Sequence, residues 1–207
     1  DYSKELLKIP YKSQTDKNIA FVRYADDFLI AVRGDKEDCI KIKEQLRQFL
    51  NDELKLTLSE EKTLITHSSE KVRFLGYDMS VRRNQQISTN SLGHKKRQLN
   101  NTVELLVPLE KIEKFMFDKG IIRQNKAKKF HPIHRKGWLY LSDQEILERY
   151  NAEIRGILNY YHLANNYNKL NYFQYLMEYS CLATLAGKHN SSISKVIHKY
   201  KSVTLPQ

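Results

Sequence analysis

A chain of 207 residues is long enough for one large or two small domains with true cores, and 41% hydrophobic content suits a globular protein. A mean hydropathy of -0.62 with no long apolar run excludes a transmembrane helix, and no signal peptide is visible. The net charge of +11 is unevenly spread: residues 91–207 hold 19 Lys+Arg against 9 Asp+Glu, whereas residues 1–90 hold 16 against 15. Such an excess in one half is the footprint of a polyanionic partner, with an anionic membrane surface as the weaker alternative. Cys39 and Cys181 stand far apart without a CxxC partner. That argues against a zinc site or disulfide framework and for a reducing, cytoplasmic setting. Asp1 stands where an initiator Met would be, so the natural protein is expected to extend upstream.

In chain order, residues 18–24 and 28–33 are rich in β-branched and aromatic residues and read as two strands of a tight hairpin. Tyr24-Ala25-Asp26-Asp27 joins them and places two carboxylates near the tip. Adjacent like charges repel unless a cation neutralises them, and a hard divalent ion such as Mg²⁺ does so with oxygen ligands. Asp-rich turns are also ordinary turns, but carboxylates at the ends of apolar, buried strands are costly, which moves the reading toward function. Asp35 then caps an amphipathic helix over 36–54, with Cys39, Ile42, Leu46, Phe49 and Leu50 packed on the hairpin sheet. Leu54 to Leu58 alternates as a strand. Val72 to Tyr77 reads as another strand, with Gly76 marking a close backbone approach or a bulge, and 81–88 as a short return hairpin.

From residue 89 to about 119 the spacing predicts helix, broken at Pro108, and 120–142 reads as a basic loop. Ser142 with Glu145 is a capping-box pattern opening a helix to about 162, with Leu147, Tyr150, Ile154, Leu158 and Tyr161 on one stripe. A second helix spans about 169–186 and stops at Gly187 as its C′ residue. A third starts after Ser191 or Ser192, with Ile193, Val196, Ile197 and Tyr200 inward. The region from 143 onward holds eight of the thirteen tyrosines.

Paired Asp on a hairpin tip, followed by a strongly basic helical half, is the equipment of metal-dependent phosphoryl transfer on nucleic acid. Two divalent ions about 3.5–4 Å apart need at least one further carboxylate, and neither Asp1 nor Asp16 lies on an apolar strand. The site is therefore expected to be incomplete in this chain.

Tyr24-Ala25-Asp26-Asp27 and the apolar strand after it resemble motif C of reverse transcriptases. Leu56-Thr57-Leu58-Ser59-Glu60-Glu61-Lys62-Thr63 resembles motif D, and Phe74-Leu75-Gly76-Tyr77 resembles the primer-grip motif E, in that family's order and spacing. Tyr150-Asn151, Arg155-Gly156-Ile157-Leu158-Asn159-Tyr160-Tyr161, Ser180 with Thr184-Leu185-Ala186, and Lys188-His189 resemble the maturase region, domain X, of group II intron-encoded proteins. The resemblance covers almost the whole chain. It implies an α+β fold: a partial right-hand polymerase palm, an antiparallel sheet with a packed helix, over 1–88. An all-α thumb over 89–142 and a helical maturase domain X over 143–207 would follow. It also implies that the fingers and the palm strand with the first metal-binding Asp lie upstream.

By that resemblance Asp26, with Asp27 beside it, would hold Mg²⁺ in a two-metal site, and Lys62 would donate a proton to the leaving pyrophosphate. Tyr24, Leu75 and Gly76 would lie along the primer. A sheet-core Tyr24, a solvent-exposed turn Lys62 and a bulge at Gly76 are the bland alternatives. Phosphate contacts are expected from Lys95, Lys96, Arg97, Lys126, Lys128, Lys129, Arg135, Lys136, Arg155, Lys188 and Lys195. Tyr167 and Tyr172, flanked by Asn, are candidates for stacking on unpaired bases; the stripe tyrosines Tyr150, Tyr161 and Tyr200 read as core. The implied activity is RNA-templated DNA synthesis from dNTP on an RNA template and DNA primer, needing the upstream region. Intron RNA binding that assists splicing and retrohoming accompanies it. The alternative is an RNA-binding maturase without polymerase activity.

Overall fold

The computed structural model describes residues 19–83, 87–89, 92–93, 95–97 and 101–200. The chain divides into two compact units, 1–75 and 76–207.

In the first unit, β1 (Ile19–Tyr24) and β2 (Asp27–Val32) form the expected antiparallel hairpin, in register from Ile19 opposite Val32 to Tyr24 opposite Asp27. Ala25-Asp26 is the two-residue turn. Ala25 sits at φ 51°, in the left-handed region that hairpin turns usually fill with Gly, Asn or Asp. Arg23 Nε ties the turn down by donating to the Ala25 carbonyl at 2.8 Å. The expectation of buried strands is corrected: among the described residues β1 is exposed along its whole length, with Phe21 59% and Val22 56% accessible.

Helix α1 (Lys36–Leu54) starts at Asp35, whose carboxylate accepts from the Asp38 N–H. Cys39, Ile42, Leu46 and Leu50 are half-buried, but Phe49, at the edge of the stripe, is 54% exposed. The expected strand over 54–58 does not form. Lys55, at φ 54°, ends the helix and lets the Leu56 N–H return to the Leu50 carbonyl at 2.9 Å. The segment that follows is held by Lys43, which donates to the Thr63 carbonyl at 2.8 Å and pairs with Glu60 at 2.9 Å. The run Val72 to Tyr77 is likewise not one strand. β3 (Val72–Phe74) ends before Leu75 (φ 46°) and Gly76 (φ 77°), which form a turn, and β4 (Tyr77–Val81) begins after it.

In the second unit β4 (Tyr77–Val81) pairs antiparallel with β7 (Val103–Leu106), from Asp78 opposite Leu106 to Val81 opposite Val103. A small hairpin of β5 (Ile87–Thr89) and β6 (Lys95–Arg97) lies between them in sequence. These strands correct the expected return hairpin at 81–88 and the expected helix over 89–119. Val103-Glu104-Leu105-Leu106 satisfies a helical spacing as well as a strand run, and the free edge of Tyr77–Val81 decides between them. Helix α2 is only Leu109–Asp118, with Pro108 at its N-cap. Two further strands, β8 (Ile122–Gln124) and β9 (Phe130–Pro132), pair across residues 125–129, and a short 3₁₀ turn spans Lys136–Trp138. The stretch 89–142 is therefore not all-α.

Helix α3 (Asp143–Tyr160) opens with the expected capping box: Ser142 Oγ accepts from the Glu145 N–H, and the Glu145 carboxylate accepts from the Ser142 N–H. α4 (Leu170–Lys188) and α5 (Ile193–Lys199) follow. Gly187 lies inside α4 instead of ending it. Asn190, at φ 46°, takes the left-handed position, with Ser191 N–H to Ala186 O at 2.9 Å and Asn190 N–H to Gly187 O at 3.4 Å. This is the Schellman pattern. Ser192 caps α5 and Val196 points inward, but Ile197 is 41% exposed, against expectation. Ile112, Met116, Ile121, Ile146, Tyr150, Leu170, Met177 and Leu185 form the buried core of this unit. Among the described residues, small antiparallel sheets with five helices are compatible with an α+β fold. Among the described residues no helix is long and apolar enough to cross a membrane.

Candidate functional site

The hairpin of the first unit brings Asp26 into the turn and Asp27 to the first position of β2, directly opposite Tyr24. Cross-strand partners share a face, so Tyr24 and Asp27 lie on the face that carries Val22 and Leu29. Tyr24 is 66% exposed, so it is not a sheet-core residue among the described positions. Both carboxylates are exposed, and neither has an ion-pair partner among the described residues. Two adjacent, uncommitted oxygen donors suit a hard cation. Among the described residues no group of three His, Cys, Asp or Glu gathers around a possible metal position. Lys62 is exposed in the turn after Glu60.

Gly76 is placed differently from what the sequence suggests. A Cβ at this position would lie 2.8 Å from Tyr160 Oη, so the close approach to its backbone is made by the protein's own helix α3. Tyr161 donates to the Gly76 carbonyl at 3.2 Å, and Tyr77 donates its hydroxyl to the Tyr160 carbonyl. The Tyr77 ring stacks on Tyr160 with centroids 5.8 Å apart and meets Tyr161 edge-on at 5.2 Å. Burial pushes the Tyr77 hydroxyl up from its ordinary value. Leu75, just before, is half-buried.

The cationic candidates separate into two kinds. Lys126, Lys128 and Lys129 are exposed on the loop between β8 and β9, a loop with its own internal frame. Asn125 Oδ1 accepts from the Lys129 N–H at 2.8 Å, the Asn125 N–H bonds the Lys129 carbonyl at 3.0 Å, and Lys128 takes φ 57°. Lys136, Arg155 and Lys195 are exposed too. Arg135 lies apart from this set. It is only 8% exposed, and its guanidinium donates to both Glu153 oxygens, at 2.8 and 3.3 Å, while lying 3.4 Å from the Trp138 ring centroid. Lys188 is committed as well, donating to the Leu141 carbonyl at 2.7 Å and to Asp143 at 2.6 Å. For Lys95, Lys96 and Arg97 the backbone is strand β6, and their side chains lie outside the described residues. Tyr167 is half-buried against the core, whereas Tyr172 is 52% exposed.

The motif residues of the helical part turn inward. The Tyr150 hydroxyl lies 2.8 Å from Ser180 Oγ and 3.1 Å from Thr184 Oγ1, and burial pushes it up to about 12. Ser180 donates to the Ile133 carbonyl at 2.6 Å, and the Arg135 N–H donates to Thr184 at 3.0 Å. Glu153 and Trp138 complete this frame, Asp143 centres a second cluster, and the sequence alone singles out none of the three. The visible signal for Asp143 was its place in the first turn of a capped helix. Its carboxylate accepts from Lys188 at 2.6 Å, His189 at 2.8 Å and Tyr200 at 2.5 Å. Burial alone would raise this carboxyl, but those three donors outweigh it and hold the group well below the usual carboxylate range.

Residues 100–206 match the family model of the type II intron maturase. The chain belongs to that family. Residues 3–79 of this maturase-family chain match the reverse transcriptase (RNA-dependent DNA polymerase) family. The chain is 56% identical over 199 residues to the group II intron-encoded protein LtrA of Lactococcus lactis subsp. cremoris, covering 96% of this chain and 33% of that one. It is 40% identical over 208 residues to the putative COX1/OXI3 intron 1 protein of Saccharomyces cerevisiae, covering 95% and 25%. To maturase K of Fagopyrum esculentum it is 27% identical over 184 residues, covering 86% and 35%. The chain thus spans about a third or less of the length of these relatives.

Proposed function

We propose that this chain is part of a group II intron reverse transcriptase/maturase. It would contribute the paired carboxylates of an RNA-templated DNA polymerase and an RNA-binding half that assists splicing and retrohoming. The observation that carries the reading is the hairpin turn that leaves Asp26 and Asp27 adjacent, exposed and without an ion-pair partner among the described residues. Asp26 and Asp27 would hold Mg²⁺ together with an oxygen ligand from outside the described residues, in the upstream palm and fingers region. When bound, the ion supplies charge stabilisation for phosphoryl transfer between a primer and dNTP. Lys62 is the candidate proton donor, and Tyr24, Leu75 and the Gly76 turn are the candidates for lying along the primer. The exposed lysines of the β8–β9 loop, with Lys136, Arg155 and Lys195, would meet the phosphates of intron RNA, in a cytoplasmic setting.

Primer extension on an RNA template with Mg²⁺ by the full-length protein tests the polymerase half. Asp26→Ala should abolish extension while leaving RNA binding intact; extension retained in that variant would sink the assignment. A second reading, an RNA-binding maturase without polymerase activity, is supported by the match to the type II intron maturase over residues 100–206. It predicts that the wild-type full-length protein assists splicing but does not extend a primer.

A further inference from the structure

On the outward side of α4 the side chains of Tyr172 and Tyr175 are stacked, with ring centroids 6.3 Å apart and planes within 11° of parallel. Tyr179 continues the row 4.5 Å beyond Tyr175. Positions three and four apart share a helical face, and this face flanks the one that buries Phe173, Leu176 and Met177. Tyr172 and Tyr175 are 52% and 47% exposed, so they add little to the core. Tyr172 also lines an apolar cavity of about 250 Å³ between α2 and α4, whose wall includes Ile112, Met116, Phe130 and Phe173. Lys169 and Glu113 are its charged lining residues. Close to the tyrosine row, the carboxylate of Glu178 is engaged by the Gln174 amide at 2.8 Å.

We propose that this row is a stacking platform for unpaired bases of the RNA. The inference rests on the RNA-binding reading above and deepens it. Tyr172, the end ring of the row, offers a π-face to a base, and Tyr175 backs it. The cavity beside Tyr172 accepts a base turned out of the strand, and Lys169 meets the adjoining phosphate. Bases inside an A-form duplex are already stacked on one another and present no free face, so the platform selects single-stranded segments. Stacking of this kind tolerates any base. Phosphate contacts by the lysines elsewhere on this half do not distinguish single from double strands.

The test compares binding of the intact protein to a short oligouridine and to a blunt RNA duplex of equal length, by fluorescence anisotropy. Tyr172→Ala/Tyr175→Ala should weaken oligouridine binding about tenfold or more, the loss of one or two stacked bases, and leave duplex binding unchanged. Tyr172→Phe/Tyr175→Phe, which keeps the rings and the packing, should bind both probes as the wild type does. Unchanged oligouridine affinity in the alanine variant, or an equal loss on both probes, overturns the platform while the RNA-binding reading stands. A wild-type protein that binds neither probe overturns both.

Discussion

Tyr161 hydrogen-bonds the carbonyl of Gly76 across 85 positions of sequence, and its neighbour Tyr160 covers the same glycine. A side chain at position 76 would have to adopt φ 77° and displace the Tyr160 hydroxyl. Gly76→Ala should therefore cost about 1–2 kcal/mol, chiefly from the left-handed backbone, and Tyr161→Phe about 1 kcal/mol from the lost hydrogen bond. Urea unfolding checks both. No change in either would mean that the turn is not held by these two tyrosines.

Arg135 and Lys136 are adjacent in sequence and opposite in circumstance. Arg135→Ala removes the partner of Glu153 and the cation over Trp138. Breaking a buried pair costs about 3–5 kcal/mol, and the lower end is expected because Glu153 keeps 20% exposure. Lys136→Ala should leave the unfolding midpoint in place and weaken RNA binding modestly. If Arg135→Ala unfolds like the wild type, the buried pair is not a support of the fold.

Asp143 sets an acid limit. Its carboxyl is held below its unfolded value, so the stability it contributes is present above the ordinary carboxylate range, near pH 4. That stability is lost as pH falls through the folded value. Thermal unfolding midpoints of the wild type should fall as pH drops below about 4. Asp143→Asn should start lower at neutral pH and show a shallower fall. Parallel pH profiles for the two proteins would contradict the assignment.

The β8–β9 loop gives a salt prediction. Each phosphate contact contributes roughly 0.7–0.9 to the slope of log affinity against log salt. Replacing Lys126, Lys128 and Lys129 together by Ala should flatten that slope by about two units if all three contact phosphate. The fold should be unaffected, since the loop is framed by Asn125 and not by the lysine side chains. An unchanged slope would place the RNA elsewhere.

Local signals in the sequence carried the helical part well. Ser142 with Glu145, and the stripe through Tyr150 and Ile154, depend on residues within a turn or two of one another, and the structure has them as expected. What stayed hidden depends on distant partners. Val103–Leu106 becomes strand because Tyr77–Val81 offers it an edge. Arg135 is indistinguishable in sequence from Lys136, since its burial is decided by Glu153 on α3. The Asp26-Asp27 turn was legible because alternation and turn chemistry are local. The cover over Gly76 was not, because it arrives from the end of α3.

The union of the Gly76 turn with Tyr160 and Tyr161 also bears on how this protein can be shortened. A variant ending before Tyr160 would strip the turn at Gly76–Tyr77 of its cover and of its hydrogen bonds. Amide exchange at Tyr77 and at the last turn of α3 should therefore rise together on heating, as within a single cooperative unit. A dissection of the polymerase-like half from the helical half has to keep these two stretches, far apart in the chain, on the same piece.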